Sequence, residues 1–326
     1  MRAVITGAAG QIGSYLAEAL LESGWGVIAI DNLSTGRKSN LDAARDVAEK
    51  KGVYYRFRCC DAGRGVWSAI HEADYVYNLA ACVGVERVEE HPELVFGDMH
   101  RCTSEVIRCC VEHDVPMLHT SSSEIYGRST DIPFREEADA QIGPPTEVRW
   151  SYALVKLLEE YMVLDACRRQ GLRGVVVRLF NTVSPRQTGA YGMVVPRLCQ
   201  QALNGERLTV HGSGQQSRCF AHVKDVVKCL LMLSQREFAG EVFNVGSTEE
   251  VNIATLAAEV LKYCVRNDLI RKTGFRDLVE YLPDRSTDMA RRVPDVSKLK
   301  AAIGFVPNTP LATIVRDVIE GMRNGA

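Results

Sequence analysis

The chain has 326 residues, 46% hydrophobic and 25% charged, with a net charge of −2. That balance suits a substantial core in one large domain or two closely packed ones. It offers no basic excess for a nucleic-acid partner, and no apolar run reaches the roughly 18 residues of a membrane helix.

Met1-Arg2-Ala3-Val4-Ile5 runs directly into a glycine loop, so no export signal is expected and a cytoplasmic location is. The eleven cysteines show neither C-x-x-C nor zinc spacing. In a reducing compartment they are expected to act as small buried hydrophobes. The seven histidines form no ligand-like cluster, His222 reading as a helix start, and no metal site is expected.

In chain order, short apolar runs at 2–6, 26–31, 53–58, 74–79, 116–121 and 173–180 read as strands. Helical stretches at 12–22, 93–112 and 150–169 lie between them. This alternation predicts an α/β fold, a Rossmann-like doubly wound parallel sheet with right-handed crossovers. After residue 180 the rhythm breaks. Segments rich in Gly, Pro, Gln and Arg at 184–192, 212–218 and 283–294 separate helices at 194–204, 222–235, 252–265 and 310–322, which predicts a smaller C-terminal lobe.

The first strand ends in Gly7-Ala8-Ala9-Gly10-Gln11-Ile12-Gly13, a glycine loop opening a helix. Such a loop lets the backbone approach a pyrophosphate, which then sits on the positive end of that helix. Strand two ends at Asp31, followed by Asn32, where an acid accepts hydrogen bonds from the adenosine ribose and repels a 2′-phosphate. NAD is therefore expected rather than NADP. Arg37 and Lys38 read as a solvated helix start. Asp61-Ala62 and Leu79-Ala80-Ala81, at the ends of strands three and four, fall where adenine and ribose would lie.

Tyr152 and Lys156 are four apart in a helix and share one face. A nearby ammonium is expected to draw a phenol down from its usual pKa of about 10 and make it a general base. Strand five delivers Ser122, Ser123 and Glu124 at its carboxyl end, where open α/β sheets bind ligands.

Together the glycine loop, Asp31-Asn32-Leu33-Ser34-Thr35-Gly36, Ser122-Ser123-Glu124-Ile125-Tyr126-Gly127 and Tyr-x-x-x-Lys resemble the extended short-chain dehydrogenase/reductases. The narrower resemblance is to the NAD-dependent nucleotide-sugar epimerase/dehydratase family, nearest in motifs to UDP-glucuronate decarboxylases. It continues through Arg178-Leu179-Phe180-Asn181, Leu208–His211 with Gly212-Ser213-Gly214, Arg218-Cys219-Phe220, Val242–Val245 and Arg292-Val293-Pro294-Asp295. The likeness implies that residues 1–180, completed by 219–246, bind NAD and that 181–218 and 247–326 bind a nucleotide sugar.

It also implies a reaction. Tyr152, helped by Lys156 and Ser122, would take the proton of the sugar C4 hydroxyl while hydride passes to NAD and later returns. A 4-keto sugar acidifies C5 and labilises a C6 carboxylate. Glu124 points to C5/C6 chemistry, hence decarboxylation, with 4-epimerisation or 4,6-dehydration as alternatives and a non-catalytic NAD-binding regulator as an alternative of another class. Beside a C6 carboxylate, Glu124 is expected to be a neutral acid or to act through water. Ser123, Asn181, Arg186, Arg218 and Arg292 are the implied substrate contacts, with Arg291, Glu86 and Arg87 as further candidates. Two positions depart from the family pattern: Asn78 stands where histidine is common, and Met99 where asparagine is usual. A homodimer through the helices at 93–112 and 150–169 is expected.

Overall fold

The structure is a computed structural model and describes residues 1–81, 93, 95–187, 193–270, 278–283, 289 and 291–325. The stretch 84–89, with Glu86 and Arg87, lies outside the described residues.

Among the described residues, seven parallel strands form the central sheet: β1 (Arg2–Thr6), β2 (Gly26–Asp31), β3 (Tyr55–Cys59), β4 (Tyr75–Asn78), β5 (Met117–Ser122), β6 (Gly174–Leu179) and β9 (Val242–Val245). Their spatial order is β9-β6-β5-β4-β1-β2-β3. The order reverses between β1 and β4, and a crevice opens beyond the carboxyl ends of the strands at such a point. β2 is buried throughout, as its unbroken apolar run requires, whereas the edge strand β3 alternates Tyr, Arg, Phe, Arg and is half-buried.

On one face, α1 (Gly13–Glu22) and α2 (Asp42–Lys51) set Leu16, Leu20, Ala44 and Ala48 against Ala3, Ile5 and Val27. On the other, α3 (His100–Glu112) and α4 (Ser151–Gln170) set Val106, Ile107, Val163 and Ala166 against Val4, Ile28 and Val76. The predicted helix over 93–112 in fact begins with a π-turn, Val95–Met99, before α3.

The second lobe has its own core. α5 (Val194–Leu203), α7 (Ile253–Arg266) and α9 (Leu311–Arg323) pack on the parallel pair β7 (Leu208–His211) and β10 (Val279–Leu282). Two helices following residue 180 belong elsewhere. α6 (Val223–Ser234) sends Val223, Val226, Leu230 and Leu233 into the core of α1, and Tyr77 Oη lies 2.6 Å from Ser234 Oγ. α8 (Ser297–Ile303) does the same with Leu299 and Ile303, although 247–326 was expected to lie wholly in the sugar lobe. Their apolar faces cover the sheet flank beside β9, which residues 1–180 leave open.

Candidate active site

The glycine loop is built for close approach. Gly7 has φ +69°, and a Cβ there would sit 2.9 Å from Ala80 N; a Cβ on Gly13 would strike the Gly7 carbonyl. Asp31 fastens the loop from the next strand: Ala9 N–H donates to Oδ2 (2.9 Å) and Leu33 N–H to Oδ1 (2.7 Å). Burial raises the Asp31 pKa, and these two amides pull it back. The crevice at the switch point is lined by Gly7, Asp31, Asn32, Asp61, Ala62, Ala80 and Ala81, with Asp98, Met99 and Cys102 on its far wall. Asp61 Oδ1 is buried there with no hydrogen-bond donor among the described residues. An amine or hydroxyl of an adenosine would satisfy it, so the residues present fit NAD. Met99 serves as packing, buried with Val95 and Val155.

The candidate reacting groups come from β5 and α4. Ser122 ends β5 and caps the 3-10 turn Ser123–Tyr126, its Oγ accepting from Glu124 N–H at 3.2 Å. The Ser122 side chain acts on the Tyr152 phenol and helps to lower its pKa. Lys156 is 1% exposed; its Nζ donates to the Thr120 carbonyl at 2.9 Å and lies 2.9 Å from Glu159 Oε2. The Tyr152 phenol is not drawn down as expected. Burial raises its pKa foremost, Lys156 lowers it, Glu159 and Glu124 raise it, and the Ser122 hydrogen bond lowers it. Sequence spacing revealed the lysine but not the carboxylate behind it.

Glu124 is clamped between two buried arginines. Arg292 Nη1 lies 2.8 Å from Oε1 and Arg149 Nη1 2.9 Å from Oε2. The turn Val148–Trp150, leading into α4, presents Arg149, whose guanidinium lies 4.7 Å from the centre of the Trp150 ring. Arg292 arrives on a strap: Phe134 N–H donates to the Val293 carbonyl, Asp295 N–H to the Phe134 carbonyl, and Asn244 Nδ2 to the Phe134 carbonyl. Tyr126 closes the circuit by donating to Asn244 Oδ1 at 2.7 Å. Burial opposes ionisation of Glu124, but the Arg292 and Arg149 charges overcome it and hold the pKa at about 2. Glu124 is thus a fixed anion, not the neutral acid expected. Two guanidiniums thus face one carboxylate, and Arg292 Nε is buried with no acceptor among the described residues. Arg149 was missed by sequence reasoning; its place three residues before Tyr152 was the available signal.

The other candidates are placed as follows. Ser123 is buried beneath the turn. Asn181 Nδ2 donates to the Cys219 carbonyl at 3.3 Å, and Arg218 is buried on β8 (Ser217–Cys219) with its Nη1 donating to the Ser217 carbonyl at 2.7 Å. Arg186 pairs with Glu18 and stacks on Tyr15 of α1, so its guanidinium is taken up on the α1 side rather than beside Glu124. Arg291 turns outward to Glu250, 2.7 Å away. His222 caps α6, its Nδ1 accepting from Lys224 N–H. Among the described residues, no group of three or more His, Cys, Asp or Glu is placed to hold a metal.

The sequence model of the NAD dependent epimerase/dehydratase family matches residues 3–246. The chain belongs to that family. It is 30% identical to the UDP-N-acetyl-alpha-D-glucosaminuronate decarboxylase of Bacillus cytotoxicus, over 99% of this chain and 98% of that one. A UDP-N-acetylglucosamine 4-epimerase from Methanobrevibacter ruminantium, solved with UDP-N-acetylmuramic acid, is 25% identical with a TM-score of 0.87, covering 100% of this chain and 99% of the other. MoeE5, solved with UDP-glucuronic acid and NAD, is also 25% identical, with a TM-score of 0.84 and full coverage of both chains. The family's cofactor is NAD.

Proposed function

We propose that the protein decarboxylates a UDP-uronate, glucuronate or a close derivative, by transient oxidation at C4. The observation that carries this reading is the Arg149–Glu124–Arg292 clamp, two buried guanidiniums on one carboxylate, with the Arg292 Nε N–H left without an acceptor among the described residues. A C6 carboxylate supplies the missing acceptor, and a planar fork suits it.

The cofactor, held by the Gly7–Gly13 loop and Asp31, supplies a hydride acceptor and donor at C4. Tyr152 removes the C4 hydroxyl proton, Ser122 holds the same oxygen, and Lys156 stabilises the phenolate. With a ketone at C4, the C5–C6 bond breaks, its electrons pass into the ketone and carbon dioxide leaves; C5 is then protonated. The clamp holds the departing carboxylate, and Glu124 keeps the two arginines apart and aimed. The family resemblance and the uronate named for both the Bacillus relative and the MoeE5 complex support this assignment. A 4,6-dehydratase would need Glu124 as the base at C5, and a carboxylate held at about 2 has little proton affinity for that work.

A panel of UDP-glucuronate, UDP-N-acetylglucosaminuronate and UDP-glucose, followed by NMR with NAD present, tests the assignment. Consumption of a uronate with loss of C6 is expected. Turnover of UDP-glucose alone would contradict it.

We also propose that the enzyme is a cytoplasmic homodimer. Leu154, Leu158 and Tyr161 share one exposed face of α4, with Phe96 exposed on the adjoining π-turn. Such an apolar stripe on paired helices fits an isologous contact. No described helix is long and apolar enough to cross a membrane.

A further inference from the structure

Behind Lys156 lies a buried polar chain that the chemistry above does not use. Glu159, one helical turn on, is fully buried, with Oε2 2.9 Å from Lys156 Nζ. Thr103 Oγ1 on α3 donates to its Oε1 at 2.7 Å, and His119 Nε2 on β5 lies 3.5 Å from Oε2. His119 Nδ1 lies 3.1 Å from Asn78 Nδ2 on β4.

The direction of every proton in this chain follows from its far end. Thr6 Oγ1 accepts from Leu79 N–H and Ala80 N–H, so its own hydrogen goes to Asn78 Oδ1, 2.7 Å away. That fixes the Asn78 amide with its Nδ2 towards Thr103 and His119. His119 Nδ1 must then accept, which leaves the proton on Nε2, facing Glu159. The Thr103 hydroxyl is thus hydrogen-bonded to Glu159 Oε1, while the Lys156 ammonium and the His119 Nε2–H face Oε2. Asn78, off-pattern for the family, is the residue that orients the imidazole.

We propose that Glu159 is a positioning residue of the Tyr152–Lys156 pair, fixing Lys156 against the Thr120 carbonyl and setting the pH at which the pair gives up its proton. A buried anion beside the ammonium cancels part of the field that Lys156 exerts on the phenol, so the base stays protonated to higher pH than Lys156 alone would dictate. The charges facing Tyr152 are Lys156 and Glu159 from α4 and Glu124 after β5, the last with its partners Arg149 and Arg292. Those facing Glu159 are Lys156 from α4 and His119 from β5; Thr103 and the Cys102 thiol of α3 also stand against this group. His119 stays neutral because burial lowers its pKa. Glu159 stays ionised, at about 2, because Lys156 and His119 outweigh its burial. The inference rests on Tyr152 being the base of the proposed reaction.

The test uses the full chain saturated with NAD and no sugar. The ultraviolet tyrosinate signal of Tyr152 is read as the difference between each protein and its Tyr152→Phe counterpart across pH. Glu159→Gln is expected to lower the ionisation midpoint by about one pH unit, and the acid limb of kcat for UDP-glucuronate should move with it. Glu159→Asp retains the charge one methylene further back and should shift the midpoint the same way by less, which keeps the test open if the Gln variant does not fold. Midpoints that stay with the parent, or a uniform fall in turnover with no shift, overturn the proposal. Because the titration contains no sugar, failure of the decarboxylase reading would show in the product panel and not here.

Discussion

Arg292 and Glu124 meet at 2.8 Å inside the protein, although one belongs to a late strap and the other to the turn after β5. The pairing exists because Phe134 bonds the strap on both sides of Pro294. Replacing Arg292 by Gln should lower turnover of UDP-glucuronate by on the order of a hundredfold or more, since a charge-assisted contact to the reacting carboxylate is lost. Stability should fall by about 2–4 kcal/mol, with Glu124 left on Arg149 alone. Steady-state rates and urea unfolding measure the two effects, and NAD affinity should stay unchanged in the same protein.

The glycine loop makes a different prediction. Gly7→Ala places a methyl against the Ala80 backbone at a positive φ, and Gly13→Ala drives one into the Gly7 carbonyl. Either should weaken NAD binding by on the order of a hundredfold, read by calorimetric titration. An affinity equal to the parent's would show that the loop does not hold the cofactor.

Acid should unfold the protein through its buried carboxylates. Glu124 and Glu159 titrate at about 2 when folded, against an ordinary 4.5. A depressed folded value gives stability that is complete above 4.5 and is lost as pH falls towards 2, on the order of 3 kcal/mol for each group. Asp31, Glu18 and Glu136 have raised values and work in the opposite sense, so the net loss is smaller than the two together. The urea midpoint should fall steeply as pH drops from 4.5; a flat midpoint there would contradict the ion-pair geometry.

Leu158→Glu places a charge in the exposed stripe of α4. If that stripe joins two copies, light scattering should show the mass of one chain where the parent shows two. A parent that is itself a single chain would remove the dimer.

Much of this was legible beforehand for identifiable reasons. Buried parallel strands are apolar runs, so six of the sheet strands stood out within a residue or two of where they lie. The glycine loop, Asp31 and the Tyr152–Lys156 pair are local patterns whose geometry follows from spacing alone. The rest depended on contacts between distant segments. Arg291 and Arg292 are adjacent, yet one turns out to Glu250 and the other in to Glu124, and only the strap's bonding decides which. Glu159 sits at helical spacing from Lys156 and could have been flagged; His119 could not, because β5 and α4 meet only in the folded chain. α8 looked like sugar-lobe sequence because nothing in its residues says which of two apolar cores it will cover.

The most direct test of the central claim is a mass balance. The protein is incubated with UDP-glucuronate and substoichiometric NAD, and carbon dioxide, UDP-pentose and NADH are quantified together. Decarboxylation by transient C4 oxidation predicts equal amounts of carbon dioxide and UDP-pentose, many turnovers per NAD, and almost no NADH. UDP-galacturonate without carbon dioxide, or NADH accumulating in step with substrate loss, would contradict it.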